Sequence, residues 1–455
     1  MRLADLAGKR VAVWGYGREG RAALAAIRRR LPEQRVTLLC SPHEAEQARP
    51  FLGDGVDYET TEPYGGLLWT FDVVVKSPGI SAYLPAVVDA RAAGVRFTSG
   101  TALWFAENPD ARVIAVTGTK GKSTTSALVA HLLRHSGMRV ALAGNIGLPL
   151  LELLDTDLAI DGWVIELSSF QTGEAAPVDV GLINNIFEEH LDWHGTRERY
   201  VADKLVLAGV ARTLVANGMQ PELLDRTTTH PARRLFGTVD GWHVADGWIW
   251  RGSQQALDIR QLRLPGEHNA LNLCAALTAI EAFGLNPYMA LPHAASFQPL
   301  PHRLQQLGEL DGVTWINDSI STTPHATIEA LRSLGGRAVT VLVGGHDRGV
   351  DWSEFRRHVS EHPPHAVVAL GANGQRIAAL LAEASPQYQL ERRTGLADAV
   401  ALARQLTPAG GVILLSPGAP SFDQFQDYAD RGRAFAQLAG FDPQAIASIE
   451  GIGVA

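Results

Sequence analysis

Between residues 113 and 133 the chain runs from the β-branched stretch Val113-Ile-Ala-Val116, through the glycine-bearing segment GTKGKST at 118–124, into the apolar run Ser126-Ala-Leu-Val-Ala-His-Leu-Leu133. A strand that feeds a glycine turn and then a helix leaves few folds open. The strand belongs in a mostly parallel sheet, and the helix presents its first N–H groups at the end of that sheet. Glycines let backbone N–H groups turn toward phosphate oxygens, and the helix N-terminus adds positive potential. Lys122 can then reach the terminal phosphates of a nucleotide, and the Ser123 hydroxyl can join a magnesium shell. The form G-x-x-x-x-G-K-[ST] is not strictly met, because Val116 stands where its first glycine falls. The duller alternative, a capping turn with a chance GKST, does not account for the strand and helix on either side.

The same alternation recurs on both sides. Before the loop lie the strand Val11-Ala-Val-Trp14, a glycine turn, a helix over about 21–29, and the strands 35–40 and 72–76. After it come strands at 162–166 and 180–184, and then a third series at 313–317, 338–343, 366–370 and 411–415. Short β-branched runs between helices predict parallel sheets. A chain of 455 residues is too long for one ordinary core. The expected architecture is α/β in three domains: a Rossmann-like domain over 1–108, a central phosphate-loop domain over 109–300, and a C-terminal Rossmann-like domain over 301–455. The proline-bearing joins are Glu107-Asn-Pro-Asp110 and Phe297-Gln-Pro-Leu-Pro301.

Composition removes several function classes. A net charge of −8 offers no nucleic-acid surface, although an acidic protein can still hold a locally basic anion site. Two distant cysteines, Cys40 and Cys274, suit a reducing compartment rather than a disulfide framework. The N-terminus MRLADLAGKR is no secretory signal, and no stretch approaches the roughly 18 apolar residues of a spanning helix. The expectation is a cytoplasmic protein with neither nucleic-acid partner nor membrane insertion.

The first domain holds Gly15-Tyr-Gly-Arg-Glu-Gly20 between a strand and a helix, as a dinucleotide fingerprint would be. A nicotinamide reading also needs an acid at the end of the second strand, for the ribose hydroxyls. That strand ends at Cys40-Ser-Pro42, and Glu44 already opens the next helix, so a dehydrogenase is disfavoured. A diphosphate of another kind fits the turn better. Lys76-Ser-Pro-Gly-Ile80 adds a second loop at a strand end, although for Ser77 alone a plain tight turn is equally good.

Beyond these pieces the chain resembles a known family. The segments 118–124, Gly144-Asn-Ile-Gly147, Glu166-Leu-Ser-Ser-Phe-Gln171, Glu189-His-Leu-Asp192, Lys204, Gly266-Glu-His-Asn-Ala-Leu-Asn272, Pro301-His-Arg303, Asn317-Asp-Ser319 and Leu415-Ser-Pro417 follow the order of the Mur ligases along essentially the whole chain. GYGREG, SPGI and Ser421-Phe-Asp-Gln-Phe425 look like the glutamate-adding members.

The resemblance implies an ATP-dependent ligase that joins glutamate to UDP-N-acetylmuramoyl-L-alanine through an acyl phosphate, with two magnesium ions. It implies ATP contacts at Gly118, Thr119, Lys120, Gly121, Lys122, Ser123 and Thr124, with Asn272 on adenine, Arg303 on phosphate and Asp318 on ribose. Ser123 and Glu166 would hold one magnesium; His190 and a carbamylated Lys204 would hold the other. Lys122, His190 and Lys204 are the implied catalytic set. Gly15, Gly17, Ser77, Pro78, Gly79 and Asn145 would face the UDP-sugar, and Thr322, Arg348, Ser421 and Tyr428 the glutamate.

Each has a blander reading. Lys204 by itself reads as a solvated helix lysine, Glu166 as a surface strand-end carboxylate, Asn272 as a helix cap and Arg303 as a hinge residue. His190 and His194, four apart, could pair on zinc, but HLDWH lacks the glutamate that follows the first histidine of a zincin.

The departures from the family pattern cluster at the incoming amino acid. Ile320 follows Asn-Asp-Ser where the D-glutamate-adding enzymes carry lysine. Arg348 stands where they use lysine on a carboxylate, and Tyr428 where phenylalanine is expected. A guanidinium fork and an ammonium are not interchangeable at a carboxylate. The preference is therefore for L-glutamate, whose product a separate epimerase would invert. D-glutamate is the near alternative, and a folylpolyglutamate-synthetase-like ligase the further one.

Overall fold

A computed structural model describes residues 1–53, 55–146, 148–156, 158–187, 191–264, 266–444 and 453–454; the side chains of 191, 192 and 454 are outside the description. The strands are β1 (Val11–Trp14), β2 (Val36–Leu39), β3 (Val56–Glu59), β4 (Val73–Lys76), β5 (Arg96–Thr98), β6 (Val113–Thr117), β7 (Val140–Gly144), β8 (Gly162–Glu166), β9 (Val178–Ile183), β10 (Ala211–Asn217), β11 (Arg233–Phe236), β12 (Trp242–Ala245), β13 (Trp248–Arg251), β14 (Gln254–Asp258), β15 (Gln305–Leu310), β16 (Val313–Asn317), β17 (Val339–Val343), β18 (Ala366–Ala369), β19 (Gln389–Arg392), β20 (Val412–Leu415) and β21 (Gly453–Val454). They form three sheets, ordered 3-2-1-4-5, then 14-13-12-11-10-9-6-8-7-21, then 15-16-20-17-18-19.

The first sheet is parallel throughout. The runs Val11-Ala-Val and Val73-Val-Val are buried on both faces, which is why they read as continuous apolar segments rather than alternating ones. In the second sheet the parallel part, β11-β10-β9-β6-β8-β7, continues into the antiparallel strands β12 to β14, and β21 pairs antiparallel on the opposite edge. Both sheets lie in one compact unit, 1–263 with 267–297 and 451–455; the third sheet belongs to a second unit, 264–266 with 298–450. Among the described residues no helix is long and apolar enough to cross a membrane.

Most expected strands are present within one or two residues. The expected helix over 21–29 starts earlier, at Arg18, and that over 126–133 extends to Lys122–His135. Strands β3, β5, β7, β10, β11, β15, β19 and β21 were not expected from the sequence, and neither were β12 to β14. These last three are short, partly exposed and tryptophan-bearing, and their pairing to one another and to β11 supplies what their pattern lacks.

In the second unit, Trp315, Ile316, Val341, Leu414 and their neighbours bury the sheet on both faces. Against this apolar body sit two titratable groups. His302, in left-handed backbone at φ +61°, is buried with Nδ1 2.9 Å from the Asn317 amide nitrogen. Burial, then the charge of Arg433, pushes its imidazolium down to about 4. Asp318 accepts from the Leu304 N–H (3.0 Å) and from the hydroxyls of Ser416 (2.8 Å) and Ser321. Burial nonetheless raises its carboxyl to about 6.

The two shifts act oppositely on stability. Between pH 6.5 and 4 the unfolded chain protonates His302 and the folded chain does not, so acidification destabilises. Between pH 6 and 4 the folded chain holds a proton on Asp318 that the unfolded one releases, so acidification stabilises. Asparagine tolerates the left-handed region. We therefore expect His302→Asn to gain stability relative to the parent, by on the order of 1–3 kcal/mol, as pH falls from 7 to 4. Urea unfolding of both proteins at each pH checks it; a pH-independent difference refutes it.

Candidate active site

Strands β6, β8 and β7 end side by side, with Glu166 opposite both Val116 and Gly144. The segments that follow, from 118, 145 and 167, leave the sheet at its carboxyl edge, where ligands of open parallel sheets gather.

The 118–121 loop is gripped by the end of β9. The Thr119 N–H donates to the Asn185 carbonyl (3.0 Å) and the Lys120 N–H to Asn185 Oδ1 (2.8 Å), while Asn185 Nδ2 donates back to the Lys120 carbonyl (3.1 Å). Two of the glycines are there for steric reasons. A Cβ on Gly118 would lie 2.9 Å from Asn184 Cβ; one on Gly121, at φ +77°, would lie 2.5 Å from Asn272 Oδ1. The N–H groups of Thr119 and Lys120 are thus committed to Asn185. The helix Lys122–His135 begins directly after this loop, with its positive end toward it. Lys122 Nζ folds back onto the Thr119 carbonyl at 3.0 Å. Asn184 and Asn185, not foreseen as site residues, shape this loop. Their only sequence signal was their place directly after a buried strand.

Glu166 is fully buried at the tip of β8. Its Oε1 accepts from Asn145 Nδ2 at 2.7 Å, and its Oε2 is buried without a hydrogen-bond partner. An uncompensated buried carboxylate oxygen is costly, and a cation relieves it. This orphaned oxygen, one strand away from the phosphate loop, fits a cation such as magnesium.

Lys204 is not a solvated helix lysine. It is 1% exposed on the helix Arg197–Val210, its Nζ donates to the Gly118 carbonyl at 2.8 Å, and it lies 4.9 Å from the Tyr200 ring centroid. One turn earlier the Tyr200 hydroxyl meets Thr119 Oγ1 at 2.7 Å. His190 lies outside the described residues. His194 holds Asp203 on one ring nitrogen and Ser169 on the other, which leaves it no lone pair for zinc. Among the described residues no cluster of three or more His, Cys, Asp or Glu could hold a metal ion.

In the first sheet, Gly15 has φ +93° and its missing Cβ makes room for Ser77 Oγ, which is buried without a partner. Gly20 packs against the Gly15 carbonyl, while Gly17 and Gly79 face open space. The carboxylate absent from the end of β2 reappears one turn later: Glu44 caps Ser41 and accepts the Tyr16 N–H at 3.2 Å. It serves the turn itself rather than a ribose.

In the second unit the loops after β16, β20 and β17 are laced together. Arg431, 1% exposed, donates to Ser319 Oγ (3.0 Å), the Ser319 carbonyl (2.8 Å) and the Ala419 carbonyl (3.0 Å). The His346 N–H donates to the Pro420 carbonyl at 2.8 Å, and Ser319 Oγ to the Tyr428 carbonyl at 2.7 Å. Ser421 is buried, Tyr428 half-exposed, and Thr322 and Arg348 exposed on these loops. Arg348 forms no ion pair among the described residues, whereas the adjacent Asp347 is held by Arg376. Arg431 was missed because an arginine at helical spacing reads as surface. Asn272 and Arg303 are both half-buried, each in its own unit.

Fold and loop together define a phosphate-loop α/β enzyme. The Mur ligase middle domain matches residues 116–280, and the glutamate ligase domain of Mur ligases matches 302–418. A protein of Xylella fastidiosa called UDP-N-acetylmuramoyl-L-alanine–L-glutamate ligase is 52% identical over the whole of both chains. One of the same name from Micromonospora is 41% identical over 96% of this chain and 98% of its own. The fold is shared with UDP-N-acetylmuramate-alanine ligase of Thermotoga maritima (TM-score 0.61, 17% identity, 95% of this chain and 99% of that one). It is also shared with folylpolyglutamate synthase of Mycobacterium tuberculosis complexed with ADP (0.59, 17%, 76% and 94%). The chain belongs to the Mur ligase family.

Gly121→Ala tests the loop. Left-handed strain of roughly 1–2 kcal/mol, added to the clash with Asn272, should weaken nucleotide binding by about tenfold or more. Calorimetric titration with ADP reads the change, with unaltered circular dichroism as the control for folding.

Proposed function

We propose that this protein joins L-glutamate to UDP-N-acetylmuramoyl-L-alanine with hydrolysis of ATP, in peptidoglycan precursor synthesis in the cytoplasm. The observation that carries this reading is the 52% identity over the whole of both chains to a protein of that name. Sugar-nucleotide binding is assigned to 1–108, ATP binding to 109–300 and glutamate binding to 301–455.

A carboxylate is a poor acylating agent, so it is activated first. A carboxylate oxygen of the alanyl group attacks the γ-phosphorus of ATP, the bond to the bridging oxygen breaks, and ADP leaves. The glutamate amine then attacks the acyl carbon of the resulting acyl phosphate, loses a proton, and inorganic phosphate departs. Both steps depend on positioning and on neutralising phosphoryl charge. Lys122 and the helix N-terminus supply positive potential, with Gly118 to Thr124 framing the phosphates and Asn272, Arg303 and Asp318 as further nucleotide contacts.

Two magnesium ions, when bound, shield the phosphoryl oxygens. Ser123 and Glu166 would hold one; His190 and carbamylated Lys204 would hold the other. The Lys204 ammonium, which repels a cation, would first lose a proton; its amine nitrogen then bonds to the carbon of CO2 and releases a second proton to solvent, leaving an anionic carbamate oxygen as ligand. Ser77, with its unpartnered hydroxyl against Gly15, supports a ligand at that turn, with Gly17, Pro78, Gly79 and Asn145 alongside. Thr322, Arg348, Ser421 and Tyr428 are the glutamate contacts. A product with an L-residue would pass to a separate epimerase.

Lys204→Ala should cost more than the roughly 10–100-fold lost when a group supporting a metal ligand is removed. Added short-chain carboxylic acids should restore part of the rate by replacing the carbamate oxygens. Unchanged ligation would remove Lys204 from the metal site.

The configuration of glutamate follows from the cations. Inverting one stereocentre keeps the amine aimed at the acyl group only if a carboxylate moves, and a moved carboxylate needs a moved cation. Ile320 in place of lysine and the exposed Arg348 fork are that rearrangement. A charge-assisted contact worth about 1.5–3 kcal/mol corresponds to a roughly ten- to hundredfold preference for L- over D-glutamate. Ligation rates with each enantiomer decide it. Faster use of D-glutamate overturns the L-assignment and leaves the ligase reading standing.

A further inference from the structure

A chain of hydrogen bonds runs from the 77–83 segment of the first sheet to the helix that carries Lys204. The Tyr83 hydroxyl reaches both carboxylate oxygens of Asp203, at 2.7 and 2.9 Å. Asp203 Oδ2 lies 2.6 Å from His194 Nδ1, and His194 Nε2 lies 3.0 Å from Ser169 Oγ. The Asp203 carbonyl accepts the Thr172 hydroxyl at 2.7 Å. Beside it, the Trp193 indole N–H donates to the Pro78 carbonyl (3.0 Å), and Ser81 Oγ donates to the Trp193 carbonyl (2.6 Å). Trp193 also stacks on Phe170 with centroids 4.6 Å apart.

Serine, histidine and aspartate here have the order of a hydrolytic triad, but not its access. His194 is sealed from solvent and Ser169 is buried, so no acyl group can reach the hydroxyl. What the arrangement can do is hold things still. Asp203 and Lys204 are consecutive on one helix, so their side chains diverge by about 100°. One is fixed by Tyr83 and His194; the other reaches the Gly118 carbonyl at the start of the phosphate loop. Burial and the Asp203 contact raise the Tyr83 hydroxyl to about 12, so it stays a donor.

We propose that Tyr83, Asp203 and His194 form a positioning relay that orients the helical turn bearing Lys204 and ties it to the 77–83 loop. The relay rests on the reading of Lys204 as a metal ligand and of that loop as a sugar-nucleotide contact. Through it, the segment that holds the acceptor and the residue that holds a magnesium ion are set by the same hydrogen bonds. Tyr83, Asp203 and His194 touch neither substrate nor metal in this scheme; they act through Lys204.

Tyr83→Phe isolates the hydroxyl, because the ring keeps its edge contact to Trp193 (5.7 Å) and its place under the Arg199 guanidinium (4.9 Å). In the full-length enzyme its kcat should fall about tenfold. The KM for the UDP-sugar should change by less than about threefold, and the magnesium concentration for half-maximal rate should rise several-fold. ADP binding measured by calorimetry should weaken several-fold in the presence of magnesium and not in its absence, a readout independent of turnover. Asp203→Asn should lose at least as much, and the double variant no more than Asp203→Asn alone, as residues acting in series require. Unchanged kcat and magnesium dependence in Tyr83→Phe, strictly additive losses, or a loss confined to the KM of the UDP-sugar would each overturn the relay. A parent enzyme that ligates neither glutamate enantiomer would instead overturn the functional reading on which it rests.

Discussion

The 2.8 Å hydrogen bond from Lys204 Nζ to the Gly118 carbonyl places a side-chain nitrogen, almost wholly out of water, at the first residue of the phosphate loop. A buried N–H donor is costly unless an acceptor meets it, and the Gly118 carbonyl does so beside the Tyr200 ring. That requirement brings the helix Arg197–Val210 against the loop. The same helix places Tyr200 on Thr119 and Asp203 beneath Tyr83. The loop is held by Lys204 on one flank and by Asn185 on another.

The second unit solves a similar problem with the opposite device. Two loops at adjacent strand ends, after β16 and β20, present the Ser319 and Ala419 carbonyls, and the buried Arg431 guanidinium answers both and the Ser319 hydroxyl with a fork of donors. Burial lowers its affinity for its proton only to about 10, so the charge persists. Gly345 lies so close to the Pro420 carbonyl and to this guanidinium that a Cβ there would clash with both. With Arg431 used for construction, Arg348 is left exposed on the neighbouring loop.

Legibility from sequence followed the strength of the local signal. β8 and β16 were read to the residue, because strands buried on both faces are uninterrupted apolar runs bounded by turn residues. The glycines of 118–121 were legible for the same reason they exist: left-handed backbone and close approach leave only glycine. The antiparallel strands β12 to β14 were not read, since partly exposed strands owe their state to pairing rather than to pattern. Glu44 shows a subtler limit. Its position in the next helix was read correctly, yet that its carboxylate returns to the Tyr16 N–H depends on how the helix packs on the turn.

The sequence by itself determined the three α/β segments, the phosphate loop with its strand and helix, and the ordered motifs by which the chain resembles the Mur ligases. These rest on backbone geometry and residue spacing, which neighbours along the chain dictate. Only the tertiary structure decided that Lys204 is buried against Gly118, that one oxygen of Glu166 has no partner, that Asn185 takes up the first N–H groups of the loop, and that Arg431 is a staple. Each of these depends on the balance between desolvating a polar group and finding it a partner. Such partners come from residues up to 112 positions away, as for Arg431 and Ser319, where no local pattern can announce them.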